Sequence, residues 1–433
     1  MPRLRLLLSA VLGLGGFLLP VPVDGRWTVA FDVLVKALRG WAPGTVTAWC
    51  LLLVVGGAVA SLHRRHPLFK AGPVLTGLRV AGVVLAIVFV AELGPAWLVG
   101  PAVGGFLWGK LITAVGVIVP IGAAALNILA GYGLLELIGT WMRPIMRPLF
   151  RLPGRAALDD LMSWLGSYSV GLYLTHQLTT QGMYTRREAF LIVTGFSTVS
   201  IGFVGVVAST LDVLHLFPIV FGTYFVVVYA LAALQARVWP TTAIPDVTLG
   251  PALPEPEPST VSLWTEGWRV ALDKAATAPP LWRLAGRGLV DGTLLAASIL
   301  GTILAVGTAA TCLAEYTPVF DILGAPLVPV LELFGLPDAA IVAPAVLAGI
   351  SEMYVPALMV KDASEPARFF VCVLSISQLI FFSSVAPMML DLFRQLPVRL
   401  GHLLFLFALR TAVLVPVLAG WTAVLTAAGI LTP

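Results

Sequence analysis

Long runs of apolar residues recur along the whole chain, and several reach the roughly 20 residues that a helix needs to cross a bilayer. Hydrophobic residues make up 59% of the sequence and charged residues 11%, whereas an ordinary soluble domain carries about 25% charged residues. The sequence therefore predicts an all-α polytopic membrane protein with about nine transmembrane helices. We expect it in a bacterial cytoplasmic (inner) membrane, with its first helix at residues 4–23.

Charge, cysteine and motif content exclude several classes of function. The net charge of +4 does not indicate nucleic-acid binding, because Lys and Arg gather in the loops of membrane proteins and set their orientation. Cys50, Cys312 and Cys372 all lie in apolar segments, which is typical of small buried residues. The sequence contains no G-x-x-x-x-G-K-[ST], H-E-x-x-H or C-x-x-C motif. We therefore expect no enzyme activity, no cofactor and no bound metal.

Glycine and hydroxyl residues interrupt the apolar stretch at 158–209 in two places, 166–171 and 194–200. Irregular backbone at membrane depth is tolerated only where it lines a cavity or packs within protein. In transporters, discontinuous helices of this kind form the substrate site near the bilayer midplane. The predicted substrate-binding residues of this stretch are Gly166, Ser167, Tyr168, Ser169, Gly171, Thr194, Ser197, Thr198 and Ser200.

Two structural explanations compete with this prediction. Small residues let helices pack closely, which would account for the glycines at 166 and 171. Ser and Thr hydroxyls also donate to carbonyls of their own helix, which would account for the hydroxyl residues at 194–200.

Arginines flank the first interruption on both sides, with four at 143–155 and two more at 186–187. A full span over 158–181 would carry the later pair to the outside, whereas a re-entrant hairpin would return it to the cytoplasm, where Arg is favoured. We therefore predict a hairpin with its turn in the Gly-Ser-Tyr-Ser segment. Arg3 and Arg5 precede the first helix and predict a cytoplasmic N-terminus.

A second segment, at 339–360, follows prolines whose spacing resembles that of the prolines before the first hairpin. Residues 141–189 carry six Arg, whereas residues 315–366 carry no Arg and seven acids. Because Lys and Arg set topology, the second hairpin should enter from the outside, as in an inverted repeat. Chance similarity between proline-rich segments is the alternative. The predicted units are 1–104 (helices 1–3), 105–236 (first repeat), 237–285 (cytoplasmic proline-rich linker), 286–398 (second repeat) and 399–433 (last helix).

The residues around both interruptions resemble a known family. GSYSVGLYLTHQ…GMYTRREAFLIVTGFSTVSIGFVGVVAS resembles the Gate, or nucleoside recognition, domain of bacterial membrane proteins in its YjiH-type branch. GISEMYVPALM resembles the matching motif of the second half. Related Gate domains occur in concentrative nucleoside transporters and in ferrous iron transport proteins, so the resemblance implies transport or channel activity. The sequence lacks the GTP-binding domain of the iron transporters, which argues against iron.

Glu352 is the strongest candidate for a functional residue in the second hairpin. A carboxylate inside an apolar membrane segment is costly and by default indicates function. It could bind sodium, carry a proton or accept hydrogen bonds from a ribose-like hydroxyl. The structural alternative is an ion pair with Lys361 or Arg410. Ser377 and Gln378, on the next helix, are predicted to join it in binding substrate.

Two further charged residues lie within predicted helices. Glu136 is a second candidate for ion coupling, with an ion pair to Arg143 as the structural alternative. Arg410 could extend to the inner face of the membrane, pair with an acid or hold an anionic substrate.

Together these features predict a membrane transporter of a small polar solute, nucleoside-like or carboxylate, driven by a proton or sodium gradient. The expected partners are the lipid bilayer, the solute and the coupling ion, with no nucleic acid. The sequence does not decide whether the chain forms a homo-oligomer. A passive channel or a structural subunit of a membrane complex is the alternative. An integral membrane enzyme would show a cluster of His, Asp or Glu at one membrane face, and the sequence shows none.

Overall fold

The computed structural model describes residues 2–11, 20–23, 26–29, 33, 37–38, 40–63, 69, 72–165, 168–253 and 262–432. This described chain is almost entirely helical, which confirms the predicted all-α class. Six of its helices are long and apolar enough to cross a membrane: Pro43–His63, Pro73–Val90, Ala96–Ala125, Leu214–Gln235, Leu281–Tyr316 and Leu400–Ala427. Most of the other predicted spans form shorter helices joined by irregular backbone.

The N-terminal segment differs from the predicted helix at 4–23. Helix α1 (Pro2–Ala10) is followed by strands β1 (Pro20–Val23) and β2 (Arg26–Val29), which pair antiparallel; residues 12–19 lie outside the described residues. The prolines at 20 and 22 explain the difference, because proline disfavours helical backbone in the residue before it. Helices α2 (Pro43–His63) and α3 (Pro73–Val90) follow.

The middle of the chain forms seven helices. Pro120 lies inside the first of them without ending it. This helix ends at Gly131 and the next begins after Gly133, whose φ of +89° is a left-handed conformation that favours glycine. A Cβ at this position would also lie 2.4 Å from the carbonyl oxygen of Ala271. The helices are α4 (Thr113–Gly131), α5 (Leu134–Phe150), α6 (Ala156–Leu165), α7 (Tyr168–Thr180), α8 (Arg186–Gly195), α9 (Ile201–Thr210) and α10 (Phe217–Gln235).

The last part of the chain begins with a surface helix that packs against α5 and α1. Arg5 on α1 donates to the carbonyl oxygens of Ala275 and Ala278, at 3.0 and 2.9 Å. The helices of this part are α11 (Leu263–Thr277), α12 (Leu281–Tyr316), α13 (Val319–Gly324), α14 (Val328–Leu333), α15 (Ala339–Ala348), α16 (Val355–Met359), α17 (Glu365–Gln378), α18 (Val385–Leu392) and α19 (Leu400–Ala427).

Two helical hairpins stand at the predicted places. Helix α6 packs against α7, and α15 packs against α16. A broken helix follows each hairpin: residues 196–200 separate α8 from α9, and residues 379–384 separate α17 from α18. We call these the first and second break. The same order of elements, a hairpin and then a broken helix, therefore occurs twice in the chain.

The loops gather into two groups at opposite ends of α8 and α9. The backbone N–H of Arg186 donates to Val247 at 2.8 Å, so the start of α8 lies beside the linker. At the far end, Arg368 donates to the carbonyl oxygen of Leu211 at 3.0 Å. Helices α8 and α9 contain 10 residues each, so each is about 15 Å long at about 1.5 Å per residue, roughly half of the hydrocarbon core of a bilayer.

The mouth of the second hairpin lies in the group at the far end. The backbone N–H of Ser364 donates to Asp338 Oδ2 at 2.8 Å, so the residues before and after the hairpin meet at one face. This hydrogen bond holds the pKa of the Asp338 carboxyl below its usual value. The Glu365 carboxylate in turn accepts from the backbone N–H of Thr432 at 2.7 Å, which places the C-terminal residues at the same face.

We predict that the face with Arg186 is cytoplasmic and the face with Asp362 is external, because Lys and Arg favour the cytoplasm. Single cysteines at 186 and 362, in a chain without its native cysteines, should separate the two faces. An impermeant thiol reagent applied to intact cells should label position 362 and spare position 186. In inside-out vesicles the pattern should reverse. External labelling of position 186 would contradict the hairpin and the inverted repeat. Glu255, which we also predict to be cytoplasmic, lies outside the described residues.

Helix α12 packs against α2, α3 and α4. Glycines permit the close approach: a Cβ at Gly82 would lie 2.2 Å from the carbonyl oxygen of Gly301, and one at Gly292 would lie 2.6 Å from the Ala123 side chain. Small residues at helix contacts are how membrane helices gain packing energy in lipid.

Candidate functional site

The tip of the second hairpin lies directly against the second break. The backbone N–H of Phe382 donates to Ile350 O at 2.7 Å, and that of Ser383 donates to Ser351 O at 2.8 Å. These bonds satisfy backbone groups that would otherwise be unpaired at membrane depth. We call residues 350–352, residues 382–384 and Tyr168 the tip junction.

Glu352 is buried in the tip junction, with 4% of its surface exposed. Its carboxylate accepts a hydrogen bond from the Ser383 hydroxyl. Among the described residues it has no cationic partner. A buried carboxylate in such surroundings needs a bound proton or a cation.

Neither structural ion pair considered for Glu352 is formed in the described chain. The Lys361 ammonium lies 4.0 Å from Asp362 at the surface, and Arg410 donates to Ser377 O at 2.9 Å.

Tyr168, at the start of α7, brings the first hairpin to the same place. Its hydroxyl lies 2.7 Å from Ser384 Oγ, and its ring meets Phe381 edge-on at 5.8 Å. The second break therefore contacts both hairpins. Gly166 and Ser167 lie outside the described residues, as does the side chain of Ser169.

Gly171 is placed for packing between the arms of the first hairpin. A Cβ at this position would lie 2.1 Å from Ser163 Oγ and 3.0 Å from Asp159 O. The packing explanation weighed from the sequence therefore accounts for the missing side chain.

Gly171→Ala should consequently push the hairpin arms apart and destabilise the protein by about 1–3 kcal/mol, the usual cost of overpacking. Removing the Ser163 hydroxyl makes room, so Ser163→Ala/Gly171→Ala should recover part of this loss. Chemical denaturation in detergent micelles measures both, with Ser163→Ala as the control. Wild-type stability of Gly171→Ala alone would show that the arms are not in close contact.

The four hydroxyl residues around the first break do different things. Thr194 and Ser197 donate to carbonyls four residues earlier, at 2.6 and 2.7 Å, which is the structural alternative weighed above. Ser200 accepts from the backbone N–H of Phe203 and caps α9. Thr198 instead donates across to Asp160 Oδ1 at 3.2 Å.

Ser377 and Gln378 end α17 beside Arg410, at the entrance to the second break. The Gln378 amide donates to Val346 O and to Thr411 Oγ1, both at 2.9 Å, which joins the second hairpin to α19. The Ser377 carbonyl accepts from Arg410 Nε and Nη2, at 3.2 and 2.9 Å. We call Arg410, Ser377, Gln378, Thr411, Gln235 and Thr194 the arginine cluster.

Glu136 is placed apart from these groups. It lines a cavity of about 410 Å³ between α5 and α11, whose lining includes no residue of the tip junction or the arginine cluster. Its carboxylate lies 3.5 Å from Lys274 Nζ, while Arg143 lies 3.5 Å from Glu266. The ion pair considered for Glu136 and Arg143 is thus replaced by two others.

Sequence reasoning missed the carboxylates of Asp159 and Asp160. Both are buried in α6. Asp159 accepts from Thr175 Oγ1 at 2.6 Å and Tyr184 OH at 2.5 Å, and the Tyr229 hydroxyl donates to Asp160. The signal was present, since the rule applied to Glu352 also holds for two acids in an apolar hairpin arm.

Comparison with known proteins agrees with this architecture. The family model described as nucleoside recognition (Gate) matches residues 111–213, which contain the first hairpin and the first break. An uncharacterized protein of Alkalihalophilus pseudofirmus is 31% identical over 439 residues, covering 96% of this chain and 93% of that protein. No solved structure matches the chain. The family match and the membrane-helical fold indicate a transporter-like role rather than an enzyme.

Proposed function

The chain belongs to the family of YjiH-type membrane proteins with a nucleoside recognition (Gate) domain, and we propose on this premise that it is a secondary transporter. It moves a small polar solute across the bacterial cytoplasmic membrane and draws on a proton or sodium gradient. The supporting geometry is the pair of hairpins, each followed by a broken helix, which is how transporters build a site within the bilayer.

One observation carries the proposal: Glu352 is buried at the tip junction without a cationic partner among the described residues. Its ionised form is strongly disfavoured there unless a proton or sodium ion accompanies it. The junction is built from both hairpins and the second break, so a change in the charge of Glu352 acts on every element around it. This is what coupling an ion gradient to solute movement requires.

A passive channel or a structural subunit remains the rival function. Both would use the hairpins without needing an ionisable group at their meeting point. A channel lets solute equilibrate, whereas a coupled transporter accumulates it against its gradient.

Uptake by reconstituted vesicles tests the proposal. Purified protein is placed in liposomes under an imposed proton or sodium gradient, and radiolabelled uridine, lactate and succinate are supplied outside. We expect accumulation of one solute above its external concentration, and loss of that accumulation when an ionophore removes the gradient. Equilibration alone would support a channel, and the absence of any flux would support a structural subunit.

A further inference from the structure

Arg410 is a buried cation inside the membrane-spanning helix α19. Only 1% of its surface is exposed. Its hydrogen-bond partners are neutral: Ser377 O accepts from Nε and Nη2, and Gln235 Oε1 lies 3.5 Å from Nη1. Among the described residues no carboxylate pairs with this guanidinium. An unpaired charge buried in an apolar medium is costly, so something must balance it when the site is in use.

A helix cap is the simplest explanation of these contacts. The carbonyl oxygens at the end of α17 carry partial negative charge, and Arg410 lies against one of them. A cap explains why Nε and Nη2 of Arg410 donate to this carbonyl oxygen. It does not explain the position of Nη1, whose contact with Gln235 is at the outer limit of hydrogen-bond distance.

A second polar group in the same place is also without a partner. The Ser377 hydroxyl is fully buried and has no hydrogen bond within the described chain. Two nearby serines can be compared with it. Ser375, on the same helix, donates to Cys372 O at 3.2 Å, and Ser351 donates to Ala348 O at 2.7 Å. Buried hydroxyls in this protein usually bond back to their own helix, and Ser377 does not.

The arginine cluster also joins the two halves of the chain. Gln235 donates from α10 to Thr194 Oγ1 at 2.6 Å, next to the first break. Gln378 donates to Val346 O in the second hairpin. A ligand bound to Arg410 would therefore lie between the two breaks.

We propose that Arg410 and Ser377 bind the carboxylate group of an anionic solute, and that this solute is what the transporter carries. The inference rests on the proposed function and narrows its substrate to small carboxylates. A guanidinium presents two parallel N–H donors that match a carboxylate, and the Ser377 hydroxyl supplies a third. Gln235 is then released from its long contact with Nη1.

Ligand-dependent thermal stability tests this site, because a ligand that binds the folded state raises Tm by mass action. The probes are formate, acetate, lactate and succinate, each beside its neutral amide, at constant ionic strength. We expect at least one carboxylate to raise the Tm of the wild type in a saturable way while its amide does not. Arg410→Gln should weaken that binding by about 30-fold or more, the scale for removing one partner of a buried charge pair.

Three further variants complete the design. Arg410→Lys keeps the charge but loses the paired donors, so its binding should fall between those of the wild type and Arg410→Gln. Ser377→Ala removes a hydroxyl that has no hydrogen-bond partner among the described residues, so it should fold normally and bind carboxylates several-fold more weakly. This variant tests the site even if Arg410→Gln does not fold. Arg237→Gln is the matched control, since Arg237 also donates to main-chain carbonyls but at the exposed surface.

The outcomes separate this inference from the proposed function. If no carboxylate stabilises the wild type more than Arg410→Gln and Ser377→Ala, Arg410 is only a helix cap and the inference is wrong. Gradient-driven uptake of uridine that is equal in wild type and Arg410→Gln would also overturn it while leaving the transporter proposal intact. Carboxylate binding at Arg410 without accumulation in vesicles would overturn the transporter proposal and keep the binding site.

Discussion

Glu352→Gln should abolish gradient-driven uptake while solute exchange across the membrane continues. The amide has nearly the same shape as the carboxyl group and can still accept from the Ser383 hydroxyl, so the tip junction keeps its structure. It can neither release a proton nor balance a sodium ion, so the coupling ion loses its binding group. The hairpins then remain able to pass solute, and the gradient no longer drives it.

Reconstituted vesicles allow both activities to be measured on one preparation. Accumulation under an imposed gradient should fall to background in Glu352→Gln, while equilibrium exchange of labelled solute should stay near the wild-type rate. Glu136→Gln is the matched comparison, because it removes a carboxylate that lies at another cavity. Full accumulation by Glu352→Gln would show that its carboxylate is structural, and the coupling group would then be sought first at Glu136.

Asp391→Asn should destabilise the protein by about 3–5 kcal/mol, the cost of leaving one partner of a buried ion pair without its counter-charge. Asp391 on α18 lies 2.6 Å from Arg79 on α3, and both side chains are 1% exposed. Arg79 also donates to Ser61 on α2 at 2.6 Å. The pair therefore joins the N-terminal helices to the end of the second broken helix.

A double variant separates the cost of a lone charge from the value of the pair. Arg79→Met/Asp391→Asn removes both buried charges and nearly keeps both side-chain volumes, so it should be more stable than Asp391→Asn alone. Arg394, whose Nε lies 3.4 Å from Asp391 Oδ1, is partly exposed and loses this partner in both variants. Denaturation in mixed micelles gives both free energies of unfolding, with Asp246→Asn as the control because Asp246 forms an exposed ion pair with Arg187. Equal stability of Asp391→Asn and the wild type would show that the pair is exposed to water in the membrane-embedded protein.

The two hairpins and the first break could be predicted from the sequence because their signals are local. Glycine and hydroxyl residues in an apolar stretch mark irregular backbone wherever the rest of the chain lies, and the arginines at 186–187 favour a hairpin over a span. No such signal predicts the second break at residues 379–384, because the apolar stretch around it contains no glycine.

Other features depend on residues that are distant in sequence and could not be predicted. At Gly133, between α4 and α5, Ala271 on the surface helix after the linker leaves no room for a side chain. Asp391 and Arg79 are 312 residues apart, and neither position shows by itself that it has a partner. The sequence left three explanations open for Arg410, and it gave no sign of the neutral contacts with Ser377 and Gln235 that the structure shows.

Helix α12 limits which parts of this protein can move during a transport cycle. It belongs to the second half of the chain, yet it lies against α4 of the first half and against α2 and α3, with backbones in contact at Gly82 and Gly301. Swinging the halves apart as rigid bodies would open gaps along this whole contact, which lipid cannot fill without loss of packing. We therefore expect movement during transport in the hairpins and in the helix halves beside the two breaks, with residues 196–200 and 379–384 as its pivots.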